Sequence, residues 1–306
     1  MKTITNIVEN LGKFTMPEAY NAVESAGLEV KRPSIRARIY EAINEGILER
    51  IAKGVFKNKD CLLIQGDGRD LSFLKNDSID AIITDHPYDL KKSNNGGDRH
   101  FATYDCFKYT QEDFNEKARV LKQGSFLVEF LPEENSDNYE YLYEIKKMAE
   151  KAGFKYYTKV AWKKGDFISN CGRKSKNTED VMIFSKGEPR ALRIDAKKDK
   201  AEPGVKHFMK GTAGMLPTCF DFAKTPKKDT IHQAEKPTDL LINIINYITL
   251  PEEVILDQFA GSGVLGEACV KTNRKAILIE LAEEFVAKIK NRLNLEVIRW
   301  VIKFIF

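Results

Sequence analysis

The stretch EVILDQFAGSGVLGEA, residues 253–268, decides the fold of this chain. It reads as an apolar strand, a glycine turn and the first turn of a helix. Gly261, Gly263 and Gly266 have the spacing G-x-G-x-x-G, and Glu280 ends the next predicted strand 19 residues after Gly261. Such a turn lets the backbone approach a ligand closely, and the acid suits ribose hydroxyls. The stretch therefore predicts a nucleotide-type cofactor site in an α/β fold.

Two features of this stretch favour S-adenosylmethionine over NAD, although both cofactors stay open on the motif alone. First, 43 residues follow Gly263, too few for the second mononucleotide-binding half of a dinucleotide fold. Second, Asp257 stands at the strand end just before the glycines, where its carboxylate would repel a pyrophosphate. S-adenosylmethionine has no phosphate, and its ammonium and sulfonium groups would be attracted to a carboxylate.

From residue 60 onward, strand patterns alternate with helical patterns. This alternation predicts an α/β fold with a doubly wound, mostly parallel sheet of seven strands, buried on both faces. The predicted strands are 61–65, 79–84, 125–131, 154–162, 180–186, 253–259 and 275–280. The predicted helices between them are 111–121, 138–152, 238–248, 264–272 and 282–293.

Residues 1–58 precede this alternation and predict a small domain of their own. Two short helices are followed by a third that starts near Ser34 and ends at Gly46, a suitable helix C-cap. Residues 47–58 then alternate apolar and polar on both sides of Gly54, as a β-hairpin does. This order is typical of a winged helix-turn-helix, whose third helix would bring basic residues to a DNA groove. These residues are Lys31, Arg32, Arg36 and Arg38.

The composition narrows the class of protein. With 42% hydrophobic and 31% charged residues, the chain has the composition of a folded globular protein. No apolar run reaches the roughly 18–20 residues that a membrane span needs, and the N-terminus has no signal-peptide pattern. We therefore expect a cytoplasmic protein with no membrane partner. The five cysteines are far apart and lack C-x-x-C spacing, so we expect reduced thiols and no metal site.

A basic region interrupts the α/β pattern between about residues 163 and 231. Its later part, from about 187, is rich in Lys with scattered Gly and Pro, and predicts a large insertion or loop system. The net charge of the whole chain is +4. Basic segments of this kind suit a polyanion, although a solvated charged face is the competing interpretation.

Four motifs together resemble those of one family, the amino-group DNA methyltransferases. DQFAGSG (257–263) resembles their D-P-F-x-G-x-G cofactor loop, and TDHPYD (84–89) contains a match to their D-P-P-Y tetrapeptide. HQAEKPTDLLINII (232–245) is similar to their H-x-x-x-K-P-x-x-L-L segment, and LIQGDGRD (63–70) to their G-D element. Because the tetrapeptide precedes the glycine loop, the order resembles the permuted β class. The resemblance covers residues 60–293 and implies a Rossmann-like, permuted methyltransferase domain over 59–306, with 163–231 as the target-recognition insertion.

The resemblance implies the roles of individual residues in binding S-adenosylmethionine. Asp257, Phe259, Gly261 and Gly263 would shape the cofactor pocket, and Glu280 would bind the ribose hydroxyls. Asp67 would lie near the adenine of the cofactor. The segment before the predicted helix 238–248 would lie on the methionine side, through His232, Lys236 and Pro237.

The tetrapeptide Asp85, His86, Pro87 and Tyr88 would be the catalytic site. An exocyclic amine of adenine or cytosine is a poor nucleophile, because its lone pair is delocalised into the ring. The Asp85 carboxylate and the main-chain carbonyl of His86 would each accept one of its hydrogens, and Tyr88 would stack on a base flipped out of the duplex. His86 and Gln258 stand where the family usually has proline, so we expect looser loops there and a His86 side chain that faces solvent.

Two loops near this site are predicted to contact DNA, with an ordinary flexible loop or an exposed charged hairpin as the alternatives. Loop 89–107 has glycines, aromatic residues and basic residues, and would close over the flipped base. Segment 162–180 would contact the backbone and bases near the target. The candidate residues are Lys91, Lys92, Arg99, Arg173, Lys174 and Lys176.

The sequence thus predicts a site-specific, S-adenosylmethionine-dependent DNA methyltransferase that modifies N6 of adenine in double-stranded DNA. N4 of cytosine is the alternative target, because the Asp-type tetrapeptide resembles adenine enzymes without deciding the base. A DNA-binding regulator that retains cofactor binding without turnover is the other hypothesis. A bacterial or phage-encoded origin, a homodimer and a cognate restriction endonuclease are compatible with this reading.

Overall fold

The computed structural model describes residues 4–9, 11, 13–44, 48–53, 55–58, 60–88, 106–165, 177–191, 216–226, 230, 235–293, 295 and 297–299. Its elements form two sheets, one of three strands and one of nine. In this part of the chain, no helix is both long and apolar enough to cross a membrane.

The three-stranded sheet belongs to the N-terminal residues, whose elements are α1 (Ile4–Glu9), β1 (Lys13–Thr15), α2 (Met16–Ser25), α3 (Arg32–Asn44), β2 (Leu48–Ala52) and β3 (Val55–Asn58). Helix α2 begins at Thr15, where Glu18 accepts hydrogen bonds from the Thr15 N–H and hydroxyl, in a capping box. Helix α3 begins at Arg32, two residues earlier than predicted, because Pro33 is tolerated in the first turn of a helix.

The N-terminal elements bury a hydrophobic cluster of their own. Its fully buried members are Val8, Phe14, Ala19, Val23, Ile35, Ile39, Ala42 and Leu48. Two helices, a third helix and a hairpin occur in the predicted order, with the short strand β1 added between the first two helices. Whether these elements act as a winged helix-turn-helix stays a prediction.

The larger group of elements follows from residue 61. These are β4 (Cys61–Gln65), β5 (Ile79–Thr84), α4 (Gln111–Val120), β6 (Leu121–Pro132), α5 (Tyr139–Lys151), β7 (Phe154–Lys163), β8 (Thr178–Lys186), β9 (Cys219–Asp221), α6 (Thr238–Ile248), β10 (Val254–Asp257), α7 (Val264–Lys271), β11 (Lys275–Glu280), α8 (Glu283–Leu293) and β12 (Val297–Arg299). The predicted alternation of strands and helices is confirmed.

The strand order of the large sheet is β12-β4-β11-β10-β5-β6-β8-β7-β9. Neighbouring strands run parallel from β12 to β6, whereas β8 is antiparallel to both β6 and β7. The prediction of seven strands is wrong for the described residues, which place nine strands in this sheet. The two additional strands, β9 and β12, have three residues each, too few to give a recognisable alternation.

Two hydrophobic clusters cover the faces of the large sheet, as a doubly wound fold requires. Helices α6, α7 and α8 contribute side chains to one cluster, and α4 and α5 contribute to the other. All six residues of β5 are buried, which is typical of a parallel strand covered on both faces. Each fully buried Leu or Ile in these clusters contributes about 1.5–3 kcal/mol relative to an exposed one.

The centre of the sheet provides the place for a ligand. Strand β10 lies between β5 and β11 and runs parallel to both. The chain leaves β5 towards β6 on one side and leaves β10 towards β11 on the other. In open α/β sheets, ligands bind outside the carboxyl ends of the strands at such a switch point. The loops after β5, β10 and β11 therefore define the crevice where a site is expected.

Candidate active site

Asp257 ends strand β10 and is buried, with 8% of its surface exposed. Its Oδ1 accepts hydrogen bonds from the Thr84 hydroxyl at 3.3 Å and from the Phe259 N–H at 3.1 Å. Burial raises the pKa of Asp257 to about 7, against these hydrogen bonds, and the neighbouring carboxylates of Asp85 and Glu280 add to the rise. Asp257 is thus an acid whose ionised form calls for a nearby positive charge.

Glu280 ends strand β11, next to β10. Its Oε2 accepts a hydrogen bond from the Gly261 N–H at 2.8 Å, and its Oε1 accepts one from the Ala282 N–H at 2.9 Å. Burial raises the pKa of Glu280, and the backbone hydrogen bonds oppose that rise. Because each carboxylate oxygen has a second lone pair, Glu280 ties down the glycine loop and can still accept hydrogen bonds from a ligand.

The glycine loop depends on glycine at the residue that precedes α7. Gly263 has φ of 74°, in the left-handed region that other residues rarely adopt. A Cβ there would also lie 2.7 Å from Cγ2 of Ile289 on α8. The turn between β10 and α7 can therefore pack against α8 only without a side chain at this position.

Gln258 connects this loop to the one that follows β4. Its side chain is 2% exposed, and its Nε2 donates a hydrogen bond to the carbonyl of Gly68 at 2.6 Å. The two backbones are so close that a Cβ on Gly68 would lie 1.8 Å from the Gln258 carbonyl oxygen. Loss of the family's proline at this position is therefore accompanied by a side-chain link between the two loops.

Asp67 lies in the loop after β4 and is exposed. It borders an open cavity of about 290 Å³ whose other lining residues include Arg69 and Asp113. Arg69 donates two hydrogen bonds to Asp113, at 2.7 and 2.8 Å, and its guanidinium lies 4.7 Å from the centre of the Phe107 ring. The predicted position of Asp67 beside a ligand-sized space is therefore compatible with the structure.

Asp85 follows β5 directly and forms an ion pair with Lys236, whose Nζ lies 2.5 Å from Oδ2. Lys236 is buried, and its Nζ also lies 3.2 Å from Oε2 of Glu179 on β8. Burial raises the pKa of Asp85, and the Lys236 ammonium opposes that rise. Burial lowers the pKa of Lys236, but the carboxylates of Asp85 and Glu179 outweigh it and raise the pKa above its ordinary value.

Glu179 is a site residue that sequence reasoning missed. Burial raises its pKa, but the ammonium groups of Lys236 and Lys164 lower it further, to about 2. Lys164 Nζ lies 2.5 Å from its Oε1. Four alternating charges thus connect Asp85 to the β7–β8 hairpin. In the sequence, Glu179 is one polar residue at the start of a predicted strand, with no motif to mark it.

Lys236 and Pro237 belong to the segment predicted for the methionine side of the cofactor. Lys236 makes its ion pairs beside the tetrapeptide, and the buried Pro237 is the N-cap of α6. His232 lies outside the described residues. The segment thus contributes a charge to the Asp85 carboxylate in addition to any role in holding the cofactor.

The tetrapeptide continues from Asp85 towards the second cluster of the core. The Pro87 carbonyl accepts a hydrogen bond from the Phe107 N–H at 3.1 Å. Tyr88 is partly buried, and burial raises its pKa above the ordinary value. His86 is 1% exposed, so the expectation of a solvent-facing side chain is wrong. The ring is covered because aromatic residues after loop 89–105 and on α5 pack around it.

A buried ion pair behind the tetrapeptide was also missed. Glu129 on β6 and Lys117 on α4 form an ion pair in which both side chains are fully buried. Burial raises the pKa of Glu129, but Lys117 lowers it further, so it lies below its ordinary value. The signal in the sequence was available: Glu129 is a single acid inside the apolar run SFLVEFL. An acid on a strand buried on both faces requires a partner.

The candidate DNA-contacting residues of the N-terminal unit lie on and beside α3. Lys31, Arg32 and Arg36 are exposed, and Arg36 lies over the Tyr40 ring at 5.7 Å. Arg32 pairs with Glu24 and Arg38 with Glu41, each at 3.1 Å. Two of the four basic residues therefore already have acidic partners. The other candidates, Lys91, Lys92, Arg99, Arg173, Lys174 and Lys176, lie outside the described residues.

Comparison with known protein families gives a match over most of the large sheet. The model of a family described as DNA methylase, the N6 and N4 methyltransferases, matches residues 79–291. That range includes the tetrapeptide, the Lys236 segment and the glycine loop.

Curated relatives are named as DNA-modifying enzymes of restriction systems. Type II methyltransferase M2.LlaDCHI of Lactococcus lactis subsp. cremoris is 27% identical over 83% of this chain and 97% of its own length. Type II methyltransferase M2.DpnII of Streptococcus pneumoniae is 27% identical over 78% and 91%. Type II methyltransferase M.HpaI of Haemophilus parainfluenzae is 25% identical over 74% and 71%.

Solved structures share the fold. A complex of M1.HpyAVI with SAM has a TM-score of 0.54 and 23% identity, over 77% of this chain and all of that one. The cytosine-N4-specific PvuII DNA methyltransferase also has a TM-score of 0.54, with 18% identity over 78% of this chain and 96% of that one. The family and fold comparisons agree on S-adenosylmethionine as the cofactor of this group.

Proposed function

Because this chain belongs to the DNA methylase family of N6 and N4 methyltransferases, we propose that its target is the N6 amino group of an adenine flipped out of double-stranded DNA. The family establishes an amino-group DNA methyltransferase that uses S-adenosylmethionine. The observation that carries the proposed site is the convergence of Asp85, Asp257 and Glu280 at the carboxyl ends of three neighbouring parallel strands.

The residues around the glycine loop fit the cofactor. Buried carboxylates with raised pKa values form a cradle that favours a cationic ligand over a phosphate, and S-adenosylmethionine supplies a positively charged methyl donor when bound. We assign Asp257, Phe259, Gly261 and Gly263 to the pocket wall, with Glu280 accepting hydrogen bonds from ribose hydroxyls. We assign Asp67 to the adenine end and, with less direct support, His232, Lys236 and Pro237 to the methionine end.

The tetrapeptide would prepare the amine. Asp85 Oδ2 is engaged by Lys236, so its other oxygen is the one to accept a hydrogen bond from the amino group. The main-chain carbonyl of His86 would accept the second hydrogen, which turns the nitrogen lone pair away from the ring. Pro87 fixes the next bend, and Tyr88 offers a face on which the base stacks. Catalysis then depends on positioning and on fixed charges.

The choice of adenine rests on the residue type at the first position of the tetrapeptide. Asp85 resembles the adenine enzymes of the family, whereas cytosine-N4 enzymes more often have serine there. N4-methylation of cytosine is the second candidate, since the family includes both chemistries and one enzyme with this fold is cytosine-N4-specific.

The test is a direct product analysis. Purified protein, S-adenosylmethionine with a labelled methyl group and mixed genomic DNA are incubated, and the DNA is digested to nucleosides for mass spectrometry. We expect labelled N6-methyladenine that is absent with Asp85→Ala. Labelled N4-methylcytosine alone would overturn the adenine assignment. Single-molecule sequencing of DNA from an expressing host would also give the recognition sequence.

A regulator without turnover gives a different result in the same experiment. Such a protein would bind S-adenosylmethionine and DNA but leave no label on any DNA. A cofactor-binding measurement on the same sample therefore separates an inactive preparation from a regulator. Bound cofactor with no label in any DNA would overturn the proposed catalytic function.

The proposed organisation is a winged-helix-like DNA-binding domain at 1–58 and a permuted methyltransferase domain at 59–306 with the target-recognition insertion at about 163–231. We assign DNA contacts to the basic residues of α3 and of the loops that follow β5 and β7. A cytoplasmic location follows from a DNA substrate in a bacterial or phage-infected cell. A homodimer and a cognate restriction endonuclease are further proposed partners, supported by the Type II names of the relatives.

A further inference from the structure

His86 occupies a position where the family usually has proline, yet its side chain is 1% exposed. Its ring lies 4.0 Å, centre to centre, from the Tyr109 ring at an angle of 35°. Further aromatic rings, those of Tyr88, Phe107 and Tyr141, lie within 6.0 Å of it. The imidazole is therefore packed into the protein between the tetrapeptide, the segment after loop 89–105 and helix α5.

The hydrogen bonds around the ring assign its tautomer. The hydroxyl of Tyr141 lies 2.9 Å from Nε2 of His86 and accepts a hydrogen bond from the Tyr109 N–H at 3.1 Å. With that N–H already donating to its oxygen, Tyr141 is free to donate its own proton to Nε2. The proton of the imidazole then lies on Nδ1, as inferred from these donors.

The Nδ1 atom points to the buried ion pair. It lies 3.8 Å from Oε2 of Glu129 and makes no hydrogen bond within the described residues. The same Oε2 accepts a hydrogen bond from the Tyr109 hydroxyl at 3.2 Å, and Oε1 pairs with Lys117. The donors around Glu129 all point at its carboxylate, so the ring has one orientation that suits both of its nitrogens.

We propose that His86 is a positioning residue, whose imidazole holds the main chain of the tetrapeptide through Tyr141 and the Glu129 cluster. This inference rests on the proposed function, in which the His86 carbonyl accepts a hydrogen bond from the target amine. A proline ring restrains the backbone by limiting φ. Here the side chain restrains the same backbone by contacts with β6, α5 and residues 107–109.

The contacts of the neighbouring residues support this assignment. The Phe107 N–H donates to the Pro87 carbonyl, and Tyr109 packs on the His86 ring, so two residues of one segment hold two consecutive residues of the tetrapeptide. A shift of the ring would move the backbone between Asp85 and Pro87. Errors of about 1 Å in the position of a reacting group cost on the order of 100-fold in rate.

The test compares His86→Phe, which keeps a ring but removes Nε2, with Tyr141→Phe, which removes the same hydrogen bond from the other side. We expect each variant to lower the single-turnover methylation rate constant by about tenfold or more. The affinity for S-adenosylmethionine, measured by calorimetry, should be unchanged. The double variant should lose no more than the larger single loss, because both act through one contact. His86→Gln, whose amide oxygen can accept from Tyr141, should recover part of the rate.

The matched control is Tyr143→Phe, which removes an exposed hydroxyl from the same helix. It should leave the rate constant unchanged. A wild-type rate in both His86→Phe and Tyr141→Phe, or single losses that multiply in the double variant, would overturn the inference. If His86→Phe does not fold, Tyr141→Phe alone decides. A wild-type protein that labels no DNA contradicts the proposed function, whereas an active wild type with an equally active His86→Phe contradicts only this inference.

Discussion

The ammonium nitrogen of Lys236 lies 2.5 Å from Oδ2 of Asp85, although 151 positions separate the two residues in the chain. One residue stands just before α6, and the other stands at the end of β5. Burial raises the pKa of Asp85, and the Lys236 charge opposes this effect. The pair therefore keeps an acceptor available for the target amine at a position where a lone carboxyl group would hold its proton.

Replacing Lys236 should impair methylation and change its pH dependence. In Lys236→Met the opposing charge is lost, so the pKa of Asp85 rises further and the acidic limb of the pH–rate profile moves to higher pH. We expect the single-turnover rate at pH 7 to fall about 100-fold. Lys159→Met, which removes an ion pair with Asp180 on the same sheet, is the control. An unchanged acidic limb would show that Lys236 does not act on Asp85.

The affinity for S-adenosylmethionine should rise with pH around neutrality. The pKa of Asp257 is raised to about 7, and its ionised form attracts a cationic ligand. Below pH 7 the carboxyl group is mainly protonated, so binding weakens as the pH falls. Calorimetric titrations from pH 6 to pH 8 would measure this trend. Asp257→Asn should bind more weakly at pH 8 and lose most of the trend. Parallel pH trends in the two proteins would contradict the prediction.

The same residue should lower the stability of the cofactor-free protein at alkaline pH. Its pKa in the folded state, about 7, lies above the ordinary value of 3.8, so the folded state holds the proton more firmly. The stabilisation is complete below about pH 4 and is lost as the pH rises towards 7. Asp257→Asn should therefore melt at a higher temperature than the wild type at pH 8, with a smaller difference at pH 5. Asp239→Asn, at an exposed carboxylate, should show no such difference.

Gly68→Ala should disrupt the contact between the loops that follow β4 and β10. The added Cβ would lie 1.8 Å from the carbonyl oxygen of Gln258, and a backbone atom cannot move aside as a flexible side chain can. We expect a loss of about 2 kcal/mol or more in the free energy of unfolding by urea, together with weaker cofactor binding. Ser72→Ala, at a nearby exposed position, serves as the control. Wild-type stability in Gly68→Ala would mean that the two loops are farther apart in solution.

Arg36→Ala should weaken DNA binding if the N-terminal unit contacts DNA. Arg36 is exposed on α3, and its loss should reduce the slope of log affinity against log salt by about one phosphate contact. Cofactor affinity should stay the same, because the buried residues of this unit form a cluster separate from those of the large sheet. Lys151→Ala, on exposed α5, is the matched loss of one charge. Equal salt slopes for Arg36→Ala and the wild type would count against a DNA-binding role for α3.

The strands that carry the site could be predicted because each is an apolar run bounded by turn residues. Parallel strands bring their carboxyl ends to one edge of the sheet, so the convergence of Asp85, Asp257 and Glu280 followed from the motif order. Strands β9 and β12 could not be predicted, since three residues give no periodicity. Their pairing depends on neighbours that are distant in sequence.

The charges around Asp85 were harder to predict than the motifs. Glu179 reaches Lys236 only through the antiparallel register of β8, which local patterns do not specify. The burial of His86 depends on Tyr109 and Tyr141, which come from two separate elements. Side chains that act together across a fold are visible in a sequence only where a polar residue interrupts an apolar run, as Glu129 does.

The hydrogen bond from Thr84 to Asp257 joins residues 173 positions apart, and it has a consequence for protein synthesis. The ribosome completes the tetrapeptide long before it makes the glycine loop. A nascent chain therefore holds an amine-binding half-site without the neighbouring strands β10 and β11 that would complete the cofactor pocket. Methylation can begin only after the later strands insert between those made earlier. A gene cut between the two halves would yield two fragments that are inactive alone and depend on reassociation for activity.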